Sequence, residues 1–303
     1  MKKYLLIPKL KIHNANAMSS AYTVGFPAMT AWLGAMHALE RNVRATGYDV
    51  RLKALGVSCH ACNVQLYSEA KTGKKLLIGT ANPLKKSKKT GEFERPSFIE
   101  EARCHLLVSL LMEIEGFNPD EEKEFLSCVA DELGRMKIAG GDIENDVAHR
   151  QKEGRNKIEI LSVDFAVEED ITRLKRSLMP GYVLKERCDL LENADDSLEA
   201  LLEKLQVRCI LERDNNGNII GRQYKKAKDN GWIVPLMTGY RDLTGACRVA
   251  NQRSYDYEHH FVEPLVTAGE FVMPHTCQTV DEFMWHYSYD KENGIYCCTT
   301  RNI

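Results

Sequence analysis

Tyr4-Leu5-Leu6-Ile7-Pro8-Lys9-Leu10-Lys11-Ile12 runs directly into Asn14-Ala15-Asn16-Ala17-Met18-Ser19-Ser20 and then Gly25-Phe26-Pro27. The apolar run is too short and too interrupted for a buried helix, and Leu10 and Ile12 alternate as a strand requires, so a first strand is expected here. After it, small side chains alternate with amides and hydroxyls. Backbone stays reachable in such a stretch, and amide donors and acceptors stand beside it, a surface suited to phosphates, sugars and unpaired base edges. The same residues also suit a strand-to-helix loop in which Asn and Ser close local turns.

Working outward, Pro27 suits a first helical position, and Met29, Trp32, Leu33, Met36 and Leu39 form one stripe of a helix ending before Gly47. A strand over 57–67 slips phase between residues 61 and 62, which predicts one extra residue in its ladder. Cys104, Leu106, Val108, Leu110, Met112 and Ile114 then alternate with Arg103, His105, Ser109 and Glu113. Asn118-Pro119 and Glu121 announce a second helix with a stripe of Phe125, Leu126, Val129, Leu133 and Met136. Residues 137–143, with Gly140-Gly141, return as a short strand or glycine loop. Strand, helix, strand, strand, helix, strand is the ferredoxin-like or RRM-like order, which makes the chain α+β. The aromatic signature of base-stacking RRM sheets is absent, so RNA contact would come from loops and edges.

Residues 144–157 read as a polar linker. The expected division is therefore a ferredoxin-like domain over 1–147 and a smaller mixed α/β region over 156–303 that packs back on it. Within that region we expect a strand over 158–165, a helix over 167–179 with charges matching the macrodipole, and a helix over 197–205. A hairpin over 207–223 turning at Asn215-Asn216-Gly217-Asn218 and a helix around 280–287 complete it.

The chain has 303 residues, 44% hydrophobic and 28% charged, with a net charge of −2. No run nears the roughly 18 apolar residues of a membrane helix, and no signal-peptide core follows Met1, so a cytoplasmic protein is expected. Its ten cysteines lie mostly in apolar patterns and read as reduced core residues. Cys59 and Cys62 have half-zinc-site spacing without a matching second pair, so no metal or cofactor is assigned. Near-neutral charge places any RNA contact in a local patch. The most basic stretch, about 71–97, holds Lys85, Lys86, Lys88 and Lys89 among turn residues and reads as a projecting loop or ragged hairpin. Arg248, Asn251 and Arg253 form a second small basic group, where arginine suits phosphate or a base face. His13 ends the first strand, and His37 falls beside Leu33 and Met36 on the first helix and reads as a packed histidine. Metal-free RNA cleavage needs a base, an acid and a cation around one phosphate, and no tyrosine, serine or lysine near His37 in sequence completes that set.

The N-A-N-A-M-S-S and G-F-P segments, the helix Trp32–Glu40, Met179-Pro180-Gly181-Tyr182, Gly231-Trp232-Ile233-Val234-Pro235 and Gly239-Tyr240 together resemble one family. It is the second subunit of the Csy complex, the type I-F CRISPR surveillance complex, a Cas5-type member of the RAMP superfamily. The resemblance implies a non-catalytic subunit that pairs with the large Csy subunit to hold the 5′ repeat-derived tag of the guide RNA (crRNA). It also implies contact with the first copy of the backbone Csy subunit, and with target DNA indirectly through the complex. Asn14, Asn16, Ser19 and Ser20 would touch the tag, and Lys85 to Lys89 would lie in a thumb-like loop. Gly140-Gly141 match the family's glycine-rich loop. Arg248, Asn251 and Arg253 resemble a V-R-N-A-R-D-like stretch, with Ala250 and Gln252 as departures. A His37-centred RAMP endoribonuclease and a scaffold binding only protein are the rivals.

Overall fold

The computed structural model describes residues 1–70, 74–78, 84–94, 101–144, 147–154, 156–192, 194–214, 217–226 and 231–301. The opening stretch forms one long strand, β1 (Lys2–Asn16), bent twice where Lys9 (φ 53°) and Asn14 (φ 56°) take left-handed backbone. Each bend coincides with a shift in its pairing, one between Ile7 and Leu10 and the other between Ile12 and Ala15. A bulge re-aims the residues beside it. Here it turns the end of β1 toward the loop that follows.

That loop leads to α1 (Met29–Ala45), which begins two residues after Pro27, so the proline precedes the helix instead of opening it. Phe26 stacks on Trp32 (5.4 Å) and meets Phe271 edge-on (5.2 Å), which fastens the helix entry into the core. Next comes β2 (Arg51–Val64), which starts and ends earlier than the expected 57–67. Its pairing skips His60 between Cys59 and Ala61, an extra residue just before the expected phase change at 61–62. Two short hairpins follow, β3 (Leu66–Ser68) with β4 (Lys75–Leu77) and β5 (Lys85–Lys86) with β6 (Phe93–Glu94). Residues 71–73, 79–83 and 95–100 of that basic stretch lie outside the described residues. Then come β7 (Arg103–Glu115), α2 (Glu122–Leu133), β8 (Lys137–Ile138) and β9 (Gly141–Ile143). Asn118 caps a single 3-10 turn ahead of α2, its side chain accepting from Asp120 N–H at 3.2 Å.

The polar stretch 144–157 is not a bare linker, because Val147–Glu153 forms α3. Its Arg150 donates to the carbonyls of Pro8 and Lys9 at 3.2 and 3.1 Å, which satisfies backbone left unpaired at the first bulge of β1. The chain continues through β10 (Glu159–Val163), α4 (Glu168–Ser177), β11 (Tyr182–Glu186) and α5 (Ser197–Leu205). A hairpin of β12 (Val207–Arg213) and β13 (Ile219–Lys226) follows, with the expected turn residues Asn215 and Asn216 outside the described residues. The last strands are β14 (Trp232–Asp242), β15 (Val262–Val272), β16 (His286–Asp290) and β17 (Ile295–Thr299). The helix expected over 280–287 is only a 3-10 turn, Asp281–Phe283, after which Trp285 bridges to Leu55 and β16 begins.

One antiparallel sheet runs β16-β17-β14-β15-β11-β2-β7-β1-β9-β8, with β10 also on β1. Strands from both sides of residue 150 therefore share a ladder. One face carries α1 and α2 over a core of Trp32, Leu33, Phe125, Val108 and Leu110. The other buries Tyr4, Leu111, Leu174 and Phe283. The molecule is thus mixed α+β, dominated by its sheet, and the ends of β1, β7 and β9 meet at one place.

Candidate nucleic-acid interface

That meeting place is a cleft of about 460 Å³ lined by Asn16, Ser19, Thr30, Arg103, Gly140 and Tyr240, with Glu101 beside them. The groups come from strands, loops and, for Thr30, the first turn of α1. Asn16 donates its N–H to the carbonyl of Ala139 (2.8 Å), and its Oδ1 accepts from Met18 N–H (2.9 Å). Ser19 and Ser20 both bond the Thr23 hydroxyl, at 2.9 and 2.8 Å. Met18 bridges to Val24, and Gly25 N–H donates to the carbonyl of Ala17 at 2.8 Å, which closes the loop on itself. The side-chain bonds of Asn16, Ser19 and Ser20 are those of local turn formation, one of the two uses open to this stretch.

Gly140 and Gly141 play different parts. Ala139 (φ 49°) and Gly140 (φ 72°) are the two central residues of the β8–β9 hairpin, the arrangement that matches the twist of its strands. At Gly141 a Cβ would stand 2.8 Å from the backbone of Ala15, so only glycine lets β9 lie against the second bulge of β1.

Arg103, read from sequence only as an outward strand position, is the cleft's cation. It donates from Nη1 to the carbonyl of Asn14 at 3.2 Å and from Nη2 to Glu101 at 2.6 Å. The carboxylate offsets its charge, so the cleft offers donors and acceptors without a strong positive field. Asn14 stands behind it, exposed, with Oδ1 accepting from Gln65 Nε2 at 2.6 Å. Gln65 N–H in turn donates to the carbonyl of Arg103 at 2.8 Å. The root of the β3–β4 hairpin is therefore tied to the cleft wall. Tyr240, on β14, had no signal in sequence beyond its Gly-Tyr pair.

The remaining candidates sit apart from the cleft. Lys85, Lys86, Lys88 and Lys89 are exposed on the β5–β6 hairpin and its turn. Arg248 lines a smaller hollow of about 200 Å³ with Tyr255 and Tyr257, in the connection between β14 and β15. Asn251 (φ 62°) and Arg253 belong to the same loop, which Gln252 organises by accepting from Val249 N–H and donating to the carbonyls of Ser254 and Tyr257. His37 packs its ring on Tyr287, 4.7 Å between centroids, and burial together with the Tyr296 bond holds the Tyr287 phenol protonated. Among the described residues no set of His, Cys, Asp and Glu gathers for a metal, and no helix is long and apolar enough to cross a membrane.

Fold and cleft together define a sheet-built α+β protein whose polar site is made of an amide, hydroxyls and a paired guanidinium and carboxylate. Residues 5–298 match the family described as CRISPR-associated protein (Cas_Csy2). The chain is 30% identical to the CRISPR-associated protein Csy2 of Pseudomonas aeruginosa (strain UCBPP-PA14), over 98% of this chain and 94% of that protein. The chain belongs to the CRISPR-associated Csy2 family, that of the type I-F Csy complex.

Proposed function

We propose that this chain is a non-catalytic subunit that holds the 5′ repeat-derived tag of the guide RNA together with a large partner subunit. It caps the row of backbone subunits in a type I-F surveillance complex for DNA interference. The strand order β9-β1-β7-β2, antiparallel throughout with α1 and α2 on one face, supports a ferredoxin-like, Cas5-type RAMP assignment for residues 1–147. The observation that carries the RNA role is the convergence of Asn16, Ser19, Gly140 and Arg103 on one cleft. Its neutralised charge suits base edges and sugars, and the lysines of the β5–β6 hairpin would add the phosphate attraction it lacks.

The test is guide-RNA binding by the chain co-expressed with its partner subunits, using RNAs with and without the tag. Arg103→Gln should weaken binding of tagged RNA by about tenfold to a hundredfold, the loss of one charge-assisted bond. Equal binding of tagged and untagged RNA by both proteins would favour a scaffold that contacts only protein. RNA cutting that disappears in His37→Ala would favour the nuclease instead.

A further inference from the structure

Next to the cleft lies a second hollow, about 250 Å³, walled by Tyr240, Tyr289 and Tyr296 and completed by Asp242, His260 and Val262. Tyr240 lines both, so the two share one wall residue. The volume is below the roughly 300–1,000 Å³ of drug-sized sites and suits a single planar ring system. Its walls are phenol rings left partly open to solvent: Tyr289 is 61% exposed, Tyr240 and Tyr296 each 37%. Large aromatic rings grouped around an open hollow call for a planar or apolar occupant.

The hollow is also preorganised. Tyr296 stacks on Tyr287 at 5.1 Å, which fixes its plane, and Tyr287 is backed by His37. Asp242 accepts from the backbone N–H groups of Thr244 and Gly245 at 3.0 Å each, and its Oδ2 accepts from His260 Nδ1 at 2.7 Å. The carboxylate accepts from Nδ1–H and so holds the ring in place. His260, its ring held by Asp242, lines the hollow as a polar group among aromatic faces and suits the polar edge of a base.

We infer that this hollow accepts one unpaired nucleobase, stacked on the tyrosines, from the strand held in the adjoining cleft. The inference rests on the RNA-holding function proposed above and specifies its base subsite. A paired base cannot enter, because its faces are already stacked; the strand must be single and the base turned out. Stacking on aromatic side chains tolerates any base, so His260 would supply what preference the hollow has.

The test uses the chain assembled with its partner subunits and guide RNAs carrying 2-aminopurine at each position of the 5′ end in turn. Fluorescence should be quenched by stacking at one position. Tyr289→Leu should restore it there and lower RNA affinity about tenfold to a hundredfold, while Tyr289→Phe keeps both. An abasic residue at that position should cost unaltered protein a similar factor, independent of any effect of substitution on folding, and should cost Tyr289→Leu little more. If no quenching depends on Tyr289 while Arg103→Gln still weakens RNA, the base subsite is overturned and the cleft's role stands. If neither substitution alters RNA binding, both are overturned. Release of a partner subunit by Tyr289→Leu, with RNA quenching unchanged, would make the hollow a protein contact and overturn the inference.

Discussion

The Arg103 guanidinium donates from Nη1 to the backbone carbonyl of Asn14, 3.2 Å away, joining the first residue of β7 to the last bulge of β1. The two strands are paired again here, Ala15 with Cys104 and Asn16 with Arg103, and the side chain spans the bulge just before, with Glu101 holding the other guanidinium nitrogen. Arg103→Lys keeps charge but loses the planar fork, and we expect it to recover only part of the RNA affinity lost in Arg103→Gln. Titrating tagged RNA against both variants checks this. Full recovery by lysine would reduce the site to a point charge.

Asn14 and Asn16 spend their side-chain oxygens on Gln65 and on Met18 N–H. Replacing both with alanine should cost about 0.5–1.5 kcal/mol of stability per bond. The same double variant should weaken RNA binding about tenfold, since half-buried Asn16 lines the cleft and exposed Asn14 stands behind it. Melting temperature and RNA affinity measured on one sample separate the two effects. Lost stability with unaltered affinity would leave the loop a structural turn only.

Lys85, Lys86, Lys88 and Lys89 are exposed and project from a short hairpin. Their joint replacement by alanine should flatten the salt dependence of RNA retention, lowering the slope of log affinity against log salt by up to about 3. The melting temperature should stay put, because none of the four packs in the core. An unchanged slope would remove this hairpin from the RNA surface.

His60 sits at the skipped position of β2, Nδ1 3.0 Å from Lys9 Nζ and Nε2 2.8 Å from Ser109 Oγ. Burial first, and the Lys9 charge second, push its pKa down from 6.5 to about 4. The folded chain therefore resists a proton that the unfolded chain takes up. Stability is full above about pH 6.5 and is lost as pH falls toward 4, by about 1–2 kcal/mol for a half-buried ring. Thermal melts across that range should show a steeper acid loss in the unaltered chain than in His60→Gln. Parallel curves would mean that other groups carry the acid sensitivity.

Much of the fold was legible in the sequence because one-sided burial leaves a period. In β7, Cys104 through Ile114 alternate inward as expected, although Leu111 is buried too, since the second core lies on its face. A period misleads when a different element shares it. Val280, Phe283 and Met284 have helical spacing and are all buried, yet a 3-10 turn and a bridge satisfy it. The helix α3 left no stripe at all: only Val147 is buried, and its purpose is Arg150 reaching the β1 bulge. In the cleft, Asn16, Ser19 and Gly140 were found by residue type. Arg103 and Tyr240 were not, because a strand residue gains its role from what the sheet places opposite it.

The most direct test of the central claim is photocrosslinking from 4-thiouridine placed within the 5′ tag of a guide RNA bound to the assembled complex. If the cleft holds the tag, crosslinked peptides from this chain should contain Asn16–Ser20 or the Ala139–Gly141 turn, and Arg103→Gln should diminish them. Crosslinks confined to the other subunits, or to this chain only at sites remote from the cleft, would contradict it.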